Sequence, residues 1–124
     1  MKKIILLLFL ILLISCNQVL HHKLGIEVAK KDLEMALGDT TKLVILEKNE
    51  LLIKEENTAI GVAEPILFEI YGKSHIEDQR PYEAYLINNY WVIRGTLNRF
   101  SLGGTFLIII DARNAKVIHI IHEK

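Results

Sequence analysis

The chain has 124 residues, with 15 Lys or Arg against 15 Asp or Glu, so its formal net charge is zero. That balance gives no support to a nucleic-acid partner, which shows itself as a basic patch. The length suits one hydrophobic core rather than two, and the single cysteine, Cys16, has no partner within the chain for a disulfide, so stability must come from packing.

Met1 to Cys16 is the most telling segment. Lys2 and Lys3 give a positive start, and Ile4 to Ile14 is an unbroken apolar run. A charged start followed by a short apolar stretch reads as an export signal. The run is shorter than the about 20 apolar residues that a spanning helix needs. Leu13-Ile14-Ser15-Cys16 resembles a bacterial lipobox. The pattern predicts a signal peptide over residues 1–15 and acylation of Cys16, each buried acyl CH₂ contributing roughly 0.8 kcal/mol of membrane anchoring. Loss of Lys2 and Lys3 with the signal leaves about 108 residues, 13 basic and 15 acidic. The expected location is the cell envelope, on a lipid-anchored protein facing the periplasm. Asn17, which is not an aspartate, favours the outer membrane.

Residues 16–25 are polar, contain His21 and His22, and read as a tether; residues 26–124 read as one domain. Ile26, Ala29, Leu33, Ala36 and Leu37 recur at three- and four-residue steps, which predicts a helix from about Glu27 to Leu37. Gly38 is placed to stop it in the left-handed conformation. Leu43 to Leu46 and Leu51 to Ile53 are short apolar runs that fit either strands or extended linkers. Ala59, Val62, Ala63, Ile66, Leu67 and Ile70 form a second helical stripe between Asn57 and Tyr71, ended by Gly72. Pro65 lies inside it, so a kink is expected, or a regular part that begins near Glu64.

After Pro81 the period changes to two. Strands are expected at Tyr82 to Ile87, Tyr90 to Leu97, Thr105 to Ile110 and Lys116 to Ile121. Asn88-Asn89, the Asn98 to Leu102 loop and the Asp111 to Ala115 turn connect them. Short links between consecutive strands give an antiparallel meander. Helices first and strands last make an α+β fold, with the long helix covering one face of the sheet.

The residues of this half, taken in order, are Thr58-Ala59-Ile60, Ala63-Glu64, Ile70-Tyr71-Gly72, Arg80-Pro81-Tyr82, Trp91-Val92-Ile93, Gly95-Thr96, Gly103-Gly104, Ile108-Ile109-Ile110-Asp111, Val117-Ile118 and His122-Glu123-Lys124. This ordered set resembles the nuclear transport factor 2 fold immunity protein family, also called the YbbC/YhhH-like family. The resemblance covers about the last 65 residues. It implies a cone-shaped curved sheet with helices packed on it, and a protein that neutralises a bacterial polymorphic toxin by binding it. Pro65 departs from the family's long helix. Ala115 stands where the last turn has a glycine, so Asn114 is expected to take the left-handed position there.

No catalytic constellation is evident. His119 and His122 are three apart on a strand and face opposite sides, so they are read as solvated or edge histidines rather than joint metal ligands. His75, Glu77 and Asp78 fall in the loop before the sheet and have acid–base residue types but no sign of a shared pocket. The expectation is no enzyme activity, no metal, no cofactor and no small-molecule substrate. Trp91 is read as core. Tyr82, Tyr85, Tyr90 and Arg94 are read as an aromatic and cationic patch on the sheet, and Tyr85, Tyr90 and Arg94 are the candidate partner-binding residues, because Tyr and Arg are enriched in hot spots. The expected partners are a cognate toxin protein and, through Cys16, a membrane. The alternatives are a small ligand-binding or PepSY-like envelope domain, or an enzyme built on the same cone.

Overall fold

The computed structural model describes residues 23–39 and 50–124. The signal segment, Cys16, His21-His22 and the Leu43 to Leu46 run lie outside the described residues. The chain divides into two compact units, Met1–Thr40 and Thr41–Lys124.

In the first unit, helix α1 spans Ile26–Gly38, one residue longer at each end than the apolar spacing predicts. None of its residues is buried. Leu33 and Leu37 are 58% and 76% exposed, so its apolar stripe is open. Gly38 does not serve as a left-handed stop; it is the last helical residue, and the chain leaves through Asp39 in an extended conformation. Among the described residues no helix is long and apolar enough to cross a membrane.

In the second unit, helix α2 spans Glu56–Tyr71, a one-turn helix α3 spans Lys73–Glu77, and four strands follow: β1 Glu83–Ile87, β2 Tyr90–Arg94, β3 Phe106–Asp111 and β4 Val117–His122. Leu51 to Ile53 is a linker, not a strand, tied to the domain by Ile53 N–H donating to the Ala112 carbonyl at 2.9 Å. Helix α2 runs unbroken through Pro65, whose ring is exposed. The residue four back is Gly61, which has no Cβ to crowd that turn. The buried stripe is narrower than the sequence stripe: Ala59, Ala63 and Leu67 at four-residue steps. Ile70 is turned to solvent. The segment carrying His75 and Glu77 is helix α3 rather than a loop, and Ile76 pins it to the core.

The strands form one sheet in the order β1-β2-β3-β4, every neighbour antiparallel. This is the expected α+β meander with helices leading it. Asn88 and Asn89 both have positive φ, 48° and 67°, as a tight two-residue hairpin requires. Ala115, with φ of 60°, takes the left-handed position of the last turn, so Asn114 does not replace the missing glycine. Asn114 is engaged instead in receiving the Lys116 N–H on its side-chain oxygen. The core lies between α2 and the inner sheet face, where Leu67, Ile76, Ile93, Phe106, Ile108 and Ile110 are completely buried. Trp91 is 5% exposed and its indole N–H donates to the Ile53 carbonyl at 2.9 Å, so it is a core residue that also clamps the entering linker.

Candidate functional site

The outer sheet face is where the strand pattern leaves apolar and aromatic side chains uncovered within this unit. Tyr85 pairs across β1-β2 with Val92, which lies between Tyr90 and Arg94 on β2, so Tyr85, Tyr90 and Arg94 share one face around Val92. Trp91 and Ile93 alternate to the core side. On the next strands Leu107 and Ile109 continue the outer face. A register shift in β4 places His119 opposite Ile109 and Val117 opposite Ile110, so Ile118 is the extra residue of a bulge. Ile87, Asn88, Tyr90, Val92, Ile109 and Ile118 line a shallow apolar hollow of about 350 Å³ on this face. Tyr85, Ile87 and Ile118 are about half exposed, at 56%, 52% and 49%.

The hollow is flanked by fixed charge. Arg113 grips Asp111 with two hydrogen bonds of 2.9 and 2.8 Å, and its guanidinium also donates to the Tyr90 hydroxyl at 3.1 Å. It sits over the Tyr90 ring at 5.5 Å, a cation–π contact. The Arg113 hydrogen bonds hold the Asp111 carboxyl down to about 2. Arg94 makes a single 3.0 Å contact to Glu123, and both groups are partly exposed, so this pair exchanges readily with solvent or a partner.

Tyr82 does not join the patch. It is an odd number of residues from Tyr85, so the pleat turns it inward, where its ring meets Phe106 edge-on at 5.1 Å. Its hydroxyl donates to Glu64 at 2.9 Å. Arg80 also donates to Glu64, closing a three-residue network on the middle of helix α2. Burial pushes the Tyr82 phenol up to about 12, and hydrogen bonding to Glu64 adds to that rise.

The structure separates Glu77 from His75 and Asp78. Glu77 turns toward Lys73 and Arg80, at 3.9 and 3.5 Å. His75 and Asp78 line a polar pocket of about 220 Å³ together with Gln79, Thr96, Asn98 and Ser101. His119 and His122 lie on opposite faces as their spacing requires, but His122 is not a free edge residue. It packs against the Tyr71 ring, tilted by 56° with the centroids 5.2 Å apart, and meets His75 with the two Nε2 atoms 3.1 Å apart. Nothing in the sequence spacing announces this pair, because 47 residues separate its members. Gln79, buried beside it, accepts the Phe106 N–H at 2.9 Å and donates to His122 and to the His75 carbonyl. Gly95 faces that carboxamide so closely that a methyl there would overlap it. Among the described residues no three His, Cys, Asp or Glu side chains cluster.

The chain is 30% identical over 74 residues to the uncharacterized protein YhhH of Escherichia coli (strain K12), covering 59% of this chain and 58% of YhhH. It is 32% identical over 73 residues to the uncharacterized protein YbbC of the same organism, covering 58% of this chain and 60% of YbbC. The chain thus spans about three-fifths of the length of these curated relatives. No solved structure matches it. The family match runs over residues 58–124, more than half of the chain and nearly the whole of the helix-then-meander region, and the chain belongs to the family described as NTF2 fold immunity protein.

Proposed function

We propose that this chain is a lipid-anchored immunity protein of the cell envelope, which neutralises one cognate toxin by binding it and carries out no turnover of its own. Family membership over residues 58–124 is the observation that carries the reading. A binding role in general follows from the family; the lipobox-like Leu13-Ile14-Ser15-Cys16 and the apolar run before it support the anchor and the envelope location.

The partner-facing surface in this proposal is the outer sheet face with Tyr85, Tyr90 and Arg94. Its support is physical. Tyr85 and Tyr90 offer large contact area with few rotors, and Arg94 can trade its one exposed contact with Glu123 for a partner carboxylate. The apolar hollow beside Tyr90 gives a partner side chain a place to be desolvated.

The test is co-expression with any candidate toxin gene found beside this one, scored by survival and pull-down. Wild type should protect and co-purify with the toxin. Replacing Tyr90 and Arg94 together by Ala should weaken binding by about 2 kcal/mol or more if they form a hot spot. Full protection and unchanged affinity in the double variant would reject this surface. Absence of protection by the wild-type chain against any linked toxin would reject the immunity reading.

A further inference from the structure

We infer that His75 and His122 form a binding site for a divalent transition-metal ion of the zinc class, held between their Nε2 atoms at the end of helix α3 and the last strand.

The argument begins with the tautomer of His122. Its Nδ1 lies 2.8 Å from the Glu123 carbonyl oxygen, which can only accept, so Nδ1 carries the proton. Nε2 therefore presents a lone pair. A histidine that donates one ring N–H to a backbone carbonyl and presents the other nitrogen bare is the usual arrangement of a metal ligand. The tilted contact with the Tyr71 ring packs one side of the imidazole.

The second step is the geometry of the pair. The Nε2 atoms are 3.1 Å apart, while the ring centres are 4.9 Å apart and the planes are tilted by 30°. A ring nitrogen lies about 1.15 Å from its ring centre, so rings aimed straight at each other across 3.1 Å would have centres about 5.4 Å apart. The shorter separation means that the rings are not aimed straight at each other, which leaves space to one side of the line between the two nitrogens. For a symmetric approach, a point on that side about 2.0 Å from each nitrogen makes an angle of about 100° between them; Zn–N bonds are about 2.0–2.1 Å in tetrahedral sites. Imidazole nitrogens suit zinc, copper and nickel.

The third step is what surrounds the pair. Gln79 donates to His122 Nε2 at 3.1 Å. Its carboxamide orientation is set independently, because Oε1 accepts the buried Phe106 N–H. Metal entry displaces the two hydrogen bonds that end on His122 Nε2, from Gln79 and from His75, and requires His75 to carry its ring proton on Nδ1. The Gln79 bonds to the Phe106 N–H and the His75 carbonyl stay in place. The polar pocket beside His75, with Asp78, Asn98 and Ser101 on its wall, has room for water in the remaining coordination positions. This site lies on the helix side of the sheet, apart from the face carrying Tyr85, Tyr90 and Arg94, so it stands independently of the toxin reading.

The experiment is titration of the full chain with Zn²⁺ alone by calorimetry, in a His21→Ala and His22→Ala background that removes the tether histidines. One ion per chain is expected to bind. His75→Ala and His122→Ala should each weaken it tenfold or more, and His119→Ala should leave it unchanged. Because His122 packs on Tyr71, a second readout guards against a folding effect. In the same background, with all other side chains native, Zn²⁺ should shift the Nε2 NMR signals of His75 and His122 together and leave that of His119 in place. No binding in this background, binding that survives both single substitutions, or Nε2 signals of His75 and His122 that do not move would overturn the site.

Discussion

Trp91→Ala is the sharpest test of how this small domain is held together. The indole is 5% exposed and its N–H reaches the Ile53 carbonyl at 2.9 Å, so it supplies both apolar burial and the tie that holds the linker. Burying an aromatic ring of this kind removes on the order of 200 Å² from water, roughly 5 kcal/mol at about 25 cal/mol per Å². That is an upper figure, because the unfolded chain already buries part of the area. Aromatic-to-alanine changes in cores cost about 3–5 kcal/mol, which is the expected loss here. Against a total of about 5–15 kcal/mol for a domain, that loss removes a large part of the stability. Trp91→Phe separates the two contributions. It keeps most of the ring burial and removes the donor, leaving the Ile53 carbonyl without its indole partner, for a loss of about 1–3 kcal/mol. Urea unfolding followed by far-UV circular dichroism suits both, since Trp91 is the only tryptophan and its fluorescence disappears with it. A loss below about 1 kcal/mol in Trp91→Ala would move the indole out of the core. Equal losses in the two variants would show that the hydrogen bond, and not burial, carries the effect.

Three further outcomes are expected. Asp111 has a folded-state pKa of about 2, lowered by Arg113 from its ordinary 3.8, so its stabilisation is fully present above about pH 4 and is lost as pH falls toward 2. Asp111→Asn should therefore flatten the fall in melting temperature across that window, and an unchanged slope would reject the linkage. Ala115→Gly should stabilise by about 0.5–1 kcal/mol, because a left-handed alanine is strained by about 1–2 kcal/mol and the lost methyl packing offsets part of that relief. Thermal melting would show it as a rise of a few degrees, and no rise would mean that the turn is unstrained. Cys16→Ser should abolish incorporation of a fatty-acid analogue and release the chain from membranes, whereas label retained in that variant would sink the lipoprotein assignment.

Much of the fold was legible because local periodicity survives into tertiary structure. The two-residue alternation of Trp91 and Ile93 against Tyr90, Val92 and Arg94 sorts inner from outer face, and the consecutive short links leave a meander as the simplest pairing. The same parity, applied from Tyr82 to Tyr85, would also have removed Tyr82 from the exposed patch. The helix stripe was only partly legible. Period alone admits Ile70 as readily as Leu67, and it is the reach of the sheet beneath α2 that buries one and leaves the other exposed.

By itself, then, the chain's residue order determined the helix and strand pattern, the Asn88-Asn89 hairpin, the core role of Trp91 and the family to which it belongs. These depend on interactions between residues close in sequence, or on alternation that any packed sheet must respect. Only the tertiary structure decided that Ala115 rather than Asn114 takes the left-handed turn position, that His75 meets His122, and that Gln79 is the buried polar link between α3 and β3. Each of those depends on where separate elements come to rest, which is set by the summed packing of the core and by the pairing of strands whose contacts span tens of residues.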